Sequence, residues 1–139
     1  MKIRAFEQSD EDTVVNLWRR CGLLRPWNDP HKDIARKLLI QPELFLIGLI
    51  DDQIVATVMA GFEGHRGWIN YLAVDPHHRR RGYGQMMMAA AERGLLELGC
   101  PKISLQIRQD NLEAIQFYER LGFSQDAAVS FGKRLIRDD

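Results

Sequence analysis

No run in this chain reaches the roughly 20 apolar residues that a membrane-spanning helix needs. Met1-Lys2-Ile3-Arg4-Ala5-Phe6 carries neither a long apolar region nor a cleavage pattern, so no export signal is read there. The expectation is a cytoplasmic protein with no membrane partner. Cysteine is scarce as well. Cys21 and Cys100 stand far apart without Cys-x-x-Cys spacing, which excludes a disulfide framework and leaves two small hydrophobes in a reducing compartment. Nor does either sign of charge dominate: Lys+Arg 19 against Asp+Glu 19 gives a net charge of zero. Without a generally basic surface, no nucleic-acid partner is expected. Repeats, low-complexity tracts and linkers are also missing, so residues 1–139 are expected to form one domain, long enough to bury a single substantial core.

Two phosphate-binding signatures fail. No Gly-x-x-x-x-Gly-Lys-Ser/Thr string occurs, and the third glycine of a dinucleotide fingerprint would fall on Met87. Metal chemistry is equally thin. His77 and His78 are sequence neighbours whose side chains point apart, no acidic or cysteine cluster completes a shell, and no metal is expected. Met86-Met87-Met88 falls within a helical apolar pattern, where methionine fills a core.

What is present is a strand, a basic turn and a helix start in immediate succession. Leu72-Ala73-Val74 reads as a buried strand, Asp75-Pro76-His77-His78-Arg79-Arg80-Arg81-Gly82-Tyr83-Gly84 as the turn, and Gln85 onward as a long helix. A helix start leaves backbone N–H groups without partners and carries partial positive charge. Glycines let an anion approach the main chain, and three consecutive arginines offer permanent charge with donors suited to phosphate oxygens. The expected ligand therefore carries a phosphate or pyrophosphate. Taken alone, the same residues also make an ordinary solvated turn.

Around this stretch the pattern predicts a mixed sheet with helices on its faces. Lys2 to Phe6 alternates as a short strand, and Ser9 or Asp10 caps a helix with Val14, Leu17, Trp18 and Cys21 on one face. Leu23-Leu24-Arg25-Pro26-Trp27-Asn28 is either a core plug or a binding lip, with the tryptophan expected to pack down. Asp29-Pro30 opens a second helix that Gln41-Pro42 stops. Residues 44–50 and 54–61 form a hairpin about Asp51-Asp52-Gln53, and Trp68 to Val74 is the strand that feeds the arginines. A helix ending at Gly99 leads to a parallel strand over Lys102 to Ile107. Asp110 or Asn111 caps a last helix that closes at Gly122, and the tail through 127–135 reads as one or two more strands. That makes an α/β (α+β) fold with a mixed, mostly antiparallel sheet of six to seven strands and four helices.

Two motifs give this pattern a family. Arg79-x-x-Gly82-x-Gly84 fits the signature with which the GNAT N-acetyltransferase superfamily holds the pyrophosphate of acetyl-coenzyme A. Asn111-Leu112-Glu113-Ala114-Ile115-Gln116-Phe117-Tyr118-Glu119-Arg120-Leu121-Gly122-Phe123 resembles the superfamily's Asn-x-x-Ala-x-x-Phe-Tyr-Glu-x-x-Gly-Phe segment. The element order resembles the GNAT fold over nearly the whole chain, small bacterial single-domain acetyltransferases in particular.

The resemblance implies the rest. The parallel strand pair would splay at the cofactor site. Leu72, Ala73 and Val74 would pair their main chain with the pantetheine arm, and an N–H near Leu72 or Ala73 would polarise the thioester carbonyl. Backbone amides of Arg81, Gly82, Tyr83, Gly84 and Gln85 would hold the pyrophosphate, with Arg79, Arg80 and Arg81 near the 3′-phosphate. Asn111 would bond the cofactor arm, although a helix cap explains it equally. Tyr118 matches the family's tyrosine that protonates the departing thiolate, against a plain core tyrosine. Many relatives carry a glutamate early on the strand that here begins Trp68-Ile69-Asn70. This chain has no acid there, so Glu63 or His65 in the preceding connection is the substitute base. Arg25, Trp27 and Asn70 are candidates to line the acceptor pocket. The implied reaction is direct attack of an amine on acetyl-coenzyme A, without an acyl-enzyme or metal; the implied acceptor is a small-molecule amine or a protein amino group. A homodimer and a monomer both stay open. The rival is a coenzyme A-binding sensor or interaction domain that has lost catalysis.

Overall fold

Alternating strand-forming residues build a five-stranded sheet in the computed structural model, which describes residues 1–139. The order is β1 (Lys2–Ala5), α1 (Glu11–Arg20), α2 (Pro30–Lys37), β2 (Phe45–Ile50), β3 (Gln53–Phe62), β4 (Gly67–Val74), α3 (Tyr83–Glu97), β5 (Ile103–Ser104) and α4 (Leu112–Arg120). The strands lie side by side in sequence order, antiparallel except for the β4–β5 pair. The helix α3 makes the crossover that a parallel pair requires.

Each face of the sheet carries its own core. Val14, Leu17 and Trp18 of α1 and Ile34 of α2 pack on Phe45 and Ile47. Met87, Met88, Ala91 and Leu95 of α3 cover Val58 and Ile69 on the other face. The methionines are core filling, as their spacing suggests, while Met86 and Leu98 are exposed. The α2 cap is the expected one: Asp29 Oδ1 accepts the His31 N–H at 2.9 Å and Pro30 takes the first helical position. At α1 the capping expectation is corrected. Asp10 is held by the Arg4 guanidinium at 2.7 and 3.0 Å and accepts the Glu7 N–H, closing a 3₁₀ turn over Gln8–Asp10. That leaves its carboxylate no part in the helix start.

The hairpin turn is two residues, Asp51-Asp52, both at positive φ as a type I′ turn requires, and Gln53 already pairs with Ile50. The strand count is corrected from six or seven to five. The strand expected over residues 102–107 keeps only Ile103 and Ser104 in register with β4, so the sheet ends there. The tail over 127–135 forms no strand. Its Val129, Phe131 and Leu135 are exposed, and it is tied down through side chains, Gln106 to Ser130 and Arg134 to Asn28.

One irregularity shapes the site. Thr57 pairs with Ala73 but Met59 pairs with Asn70, so β4 holds one residue more than β3 across that interval. Tyr71 absorbs it at φ 51°. Trp18 donates to Thr57 Oγ1 at 2.9 Å, both side chains fully buried beneath α1, and Thr57 donates to the carbonyl of half-buried Tyr71 at 2.8 Å. The indole of Trp18 stacks on the Tyr71 ring with centroids 3.8 Å apart. Thr57→Val orphans both polar partners, at about 1–3 kcal/mol for each group left unpaired. Urea unfolding should register that loss and Thr57→Ser should recover most of it; a Thr57→Val midpoint equal to the wild type would contradict the role.

Candidate active site

The parallel pair is joined at one end only. Gly67 pairs with Ile103 and Trp68 with Ser104, after which β4 runs on to Val74 with no β5 partner. The edge of β4 along Leu72, Ala73 and Val74 is therefore without a strand partner and is available to an extended ligand. Ala73 is buried, and Leu72 and Val74 are half-buried in the α3-side core.

The basic turn begins where β4 stops. It is anchored by Asp75, whose N–H reaches Val55 O at 2.7 Å and whose carboxylate holds Arg20 at 2.7 Å and the His77 N–H at 2.9 Å. Burial alone would raise the Asp75 carboxyl, yet the His77 N–H and Arg20 hold it below the ordinary range. Beyond it, Arg80 and Gly82 both adopt left-handed backbone, φ 64° and 80°. Successive N–H groups in such a turn converge into an anion-binding concavity. Gly82 caps α3 without a side-chain cap, and no acidic residue stands in the first helical turn. The first N–H groups of a fifteen-residue helix thus face outward beside three arginines that enter no ion pair. Space is there too: a Cβ on Gly82 would meet nothing within 4 Å. These residues fit a pyrophosphate.

Gly84 has a different task. A Cβ there would come 3.2 Å from Phe117 Cζ and 3.7 Å from Val74 Cγ2, so its absence lets α3, α4 and the end of β4 meet. The two sequence motifs are thereby brought to one place. Tyr118, next to Phe117, lies edge-on to Phe117 and Phe123. Burial pushes its phenol up to about 12, so it stays protonated and able to donate. Asn111 caps α4, accepting the Ala114 N–H at 3.1 Å. Cys21 donates its thiol to Val74 O at 3.3 Å, and burial pushes that thiol up, which leaves it a poor nucleophile.

With this geometry in view, comparison with known proteins gives the family. The model of the acetyltransferase (GNAT) family matches residues 11–123. The chain belongs to that family. A relative named as an acetyltransferase in Pectobacterium atrosepticum is 47% identical to this acetyltransferase over 138 residues, covering 99% of this chain and 98% of its own. Among solved structures, the PaiA N-acetyltransferase of Thermoplasma acidophilum in complex with coenzyme A shares the fold with a TM-score of 0.80 at 16% identity, covering 92% of each chain. AAC(6')-Iy in complex with a bisubstrate analogue, CoA-S-monomethyl-acetylneamine, does so at a TM-score of 0.79 and 17% identity, covering 97% of this chain and 98% of its own.

Not every expected residue joins this edge of the acetyltransferase. Glu63 and His65 sit in the β3–β4 connection at the joined end of β4, about five residues or roughly 17 Å of strand from Leu72. The Glu63 carboxylate accepts the Arg66 and His65 N–H groups of its own turn, and these bonds, the Arg66 one foremost, lower it and weaken it as a base. The loop divides: Leu23 and Leu24 pack against the α1-side core as a plug would, while Trp27 does not pack down and is 47% exposed with the Arg108 guanidinium 5.8 Å from its ring centroid. Arg25 bends back onto Gly22 O and Leu24 O. Asn70 is exposed on the α1–α2 side of β4, the same face as Tyr71 because of the bulge.

Two groups escaped the sequence. Tyr71 donates to Asp33 Oδ2 at 2.6 Å, and burial followed by Asp33 pushes its phenol far up. The consecutive polar side chains Asn70-Tyr71, which break the alternation of β4, were the available signal. The tail residues Lys133 and Arg134 carried none. Gly82→Asp places negative charge and a Cβ at φ 80° in the anion turn. Titration with coenzyme A should show affinity falling at least tenfold, and unchanged affinity would refute the assignment of the turn.

Proposed function

We propose that this N-acetyltransferase uses acetyl-coenzyme A and passes the acetyl group directly to a primary amine while both are bound. The observation that carries the reading is the unpaired edge of β4 beside an uncapped, arginine-flanked helix start. When bound, acetyl-coenzyme A supplies an acyl carbon already activated as a thioester. Main-chain N–H groups of Arg81 to Gln85 would hold its pyrophosphate, Arg79 to Arg81 its remaining phosphate, and Leu72 to Val74 its amide-bearing arm. Asn111, whose side-chain oxygen caps α4, retains its NH₂ for the same arm. An N–H at Leu72 or Ala73, just past the bulge, would polarise the thioester carbonyl.

Tyr118, which burial keeps protonated, would give its proton to the departing sulfur. No base is assigned to Glu63, since its carboxylate serves its own turn. The amine would react as its free base, because an ammonium has no lone pair and amines in this setting titrate between about 7.7 and 10.4. Absence of an activated cysteine also favours direct attack. Two free thiols suit a reducing cytoplasm.

Two measurements check this. Tyr118→Phe should lower kcat by about 10²–10⁴, the usual contribution of a positioned acid, with KM for acetyl-coenzyme A little changed. Untouched turnover would remove the role. The rate should rise with pH through the acceptor's own pKa and then stay level up to at least pH 10, since Tyr118 keeps its proton until about 12. A falling limb below pH 9 would name a different acid.

A further inference from the structure

A groove of about 530 Å³ runs between α2 and the tail, lined by Arg36, Lys133, Arg134, Leu135 and Ile136. Its size suits a small molecule. Of its cations, Arg36 is paired with two carboxylates that lie outside the lining, Asp33 at 3.2 Å and Asp138 at 2.6 Å, and Asp33 continues to the Tyr71 hydroxyl at the β4 bulge. Asp138 Oδ2 is buried there with no hydrogen-bond partner. Along the tail and the α1–α2 loop, by contrast, four cations have no carboxylate partner. Arg134 donates to Asn28 Oδ1 at 2.9 Å and to Ile136 O, Arg25 only to backbone carbonyls, and Arg108 lies over Trp27. Neither these nor Lys133 forms an ion pair; Asp139, which Arg134 influences, is paired with Arg137. In a chain of zero net charge, such a cluster makes a local field that favours an anion.

We infer that the acceptor is a small amine that also bears a carboxylate or phosphate group. Its anion is directed to Arg134 and Lys133 in the groove and its amine past Arg36 toward Asp33 and the bulge, with Trp27 and Arg25 on the neighbouring loop. Rotamer-fixed guanidinium groups suit such oxyanions. This rests on the acetyl transfer proposed above: the amine nitrogen forms the new C–N bond as C–S breaks, the nitrogen loses a proton and the sulfur gains one. Polycationic amines are disfavoured by the same field.

The test uses matched pairs with the full-length protein: γ-aminobutyrate against its carboxamide, phosphoethanolamine against ethanolamine, and an aminoglycoside as polycation. Binding is read by calorimetry with coenzyme A present, and turnover separately. The charged member of at least one pair should bind tenfold or more tighter than its neutral partner, and the pair that does so distinguishes carboxylate from phosphate. Arg134→Gln and Lys133→Gln, both on the exposed tail, should each erase most of that preference and leave KM for acetyl-coenzyme A unchanged. Equal binding within both pairs, stronger binding of the polycation, or indifference to both variants overturns the inference. Acetylation without anion preference would do so while leaving acetyl transfer standing. Variant-sensitive binding of the anionic amines without turnover would uphold the inference and remove the transfer reading.

Discussion

The Thr57 hydroxyl takes the Trp18 N–H and gives its own proton to the Tyr71 carbonyl, and with these two bonds it holds the extra residue of β4 in place. A bulge in the interior of a sheet needs such support, because its carbonyl has lost the ladder partner it would otherwise have. The support comes from a fully buried threonine braced by a fully buried indole, so the bulge has little freedom to relax. Two features of the molecule follow from it. Tyr71 turns toward α2 and its phenol finds Asp33, and Leu72 and Val74 turn toward the α3 core.

The two faces of the sheet are thus coupled at one point. On the α3 face, the end of β4 meets Gly84 and Phe117, which brings the glycine–arginine turn and the helix of Tyr118 side by side. On the α1–α2 face, the Tyr71–Asp33–Arg36 chain of contacts leads to the groove under the tail. Donor thioester and acceptor amine would therefore approach from opposite faces and meet at the unpaired edge of β4 beside the bulge. Asp75 reinforces the geometry from the far side, joining α1 through Arg20 and β3 through Val55.

The sequence revealed the parts that depend on local chemistry. Gly82 and Gly84, the adjoining arginines and the Asn111 to Phe123 segment are contiguous strings whose residue types state their purpose, and the hairpins and helices follow from periodicity and caps. Long-range agreements were out of its reach. Whether the tail pairs with β5 depends on how much of β5 is a strand at all, and only Ile103 and Ser104 are in register with β4. Trp27 is exposed, while the space beneath α1 is filled by the Trp18 and Tyr71 rings, a pairing of residues 53 positions apart. Glu63 lay near the right strand in sequence but at its joined end in space, and Asp33 and Arg134, remote in sequence, face the same groove through Arg36.

The central claim is that the open end of β4 and the turn that follows it receive the thioester and its diphosphate. Amide hydrogen exchange with and without saturating acetyl-coenzyme A tests this most directly. Protection should appear at Leu72 to Val74 and at Arg81 to Met86. Protection confined to the tail groove, or to any surface that leaves both segments exchanging as in the free protein, would contradict the account.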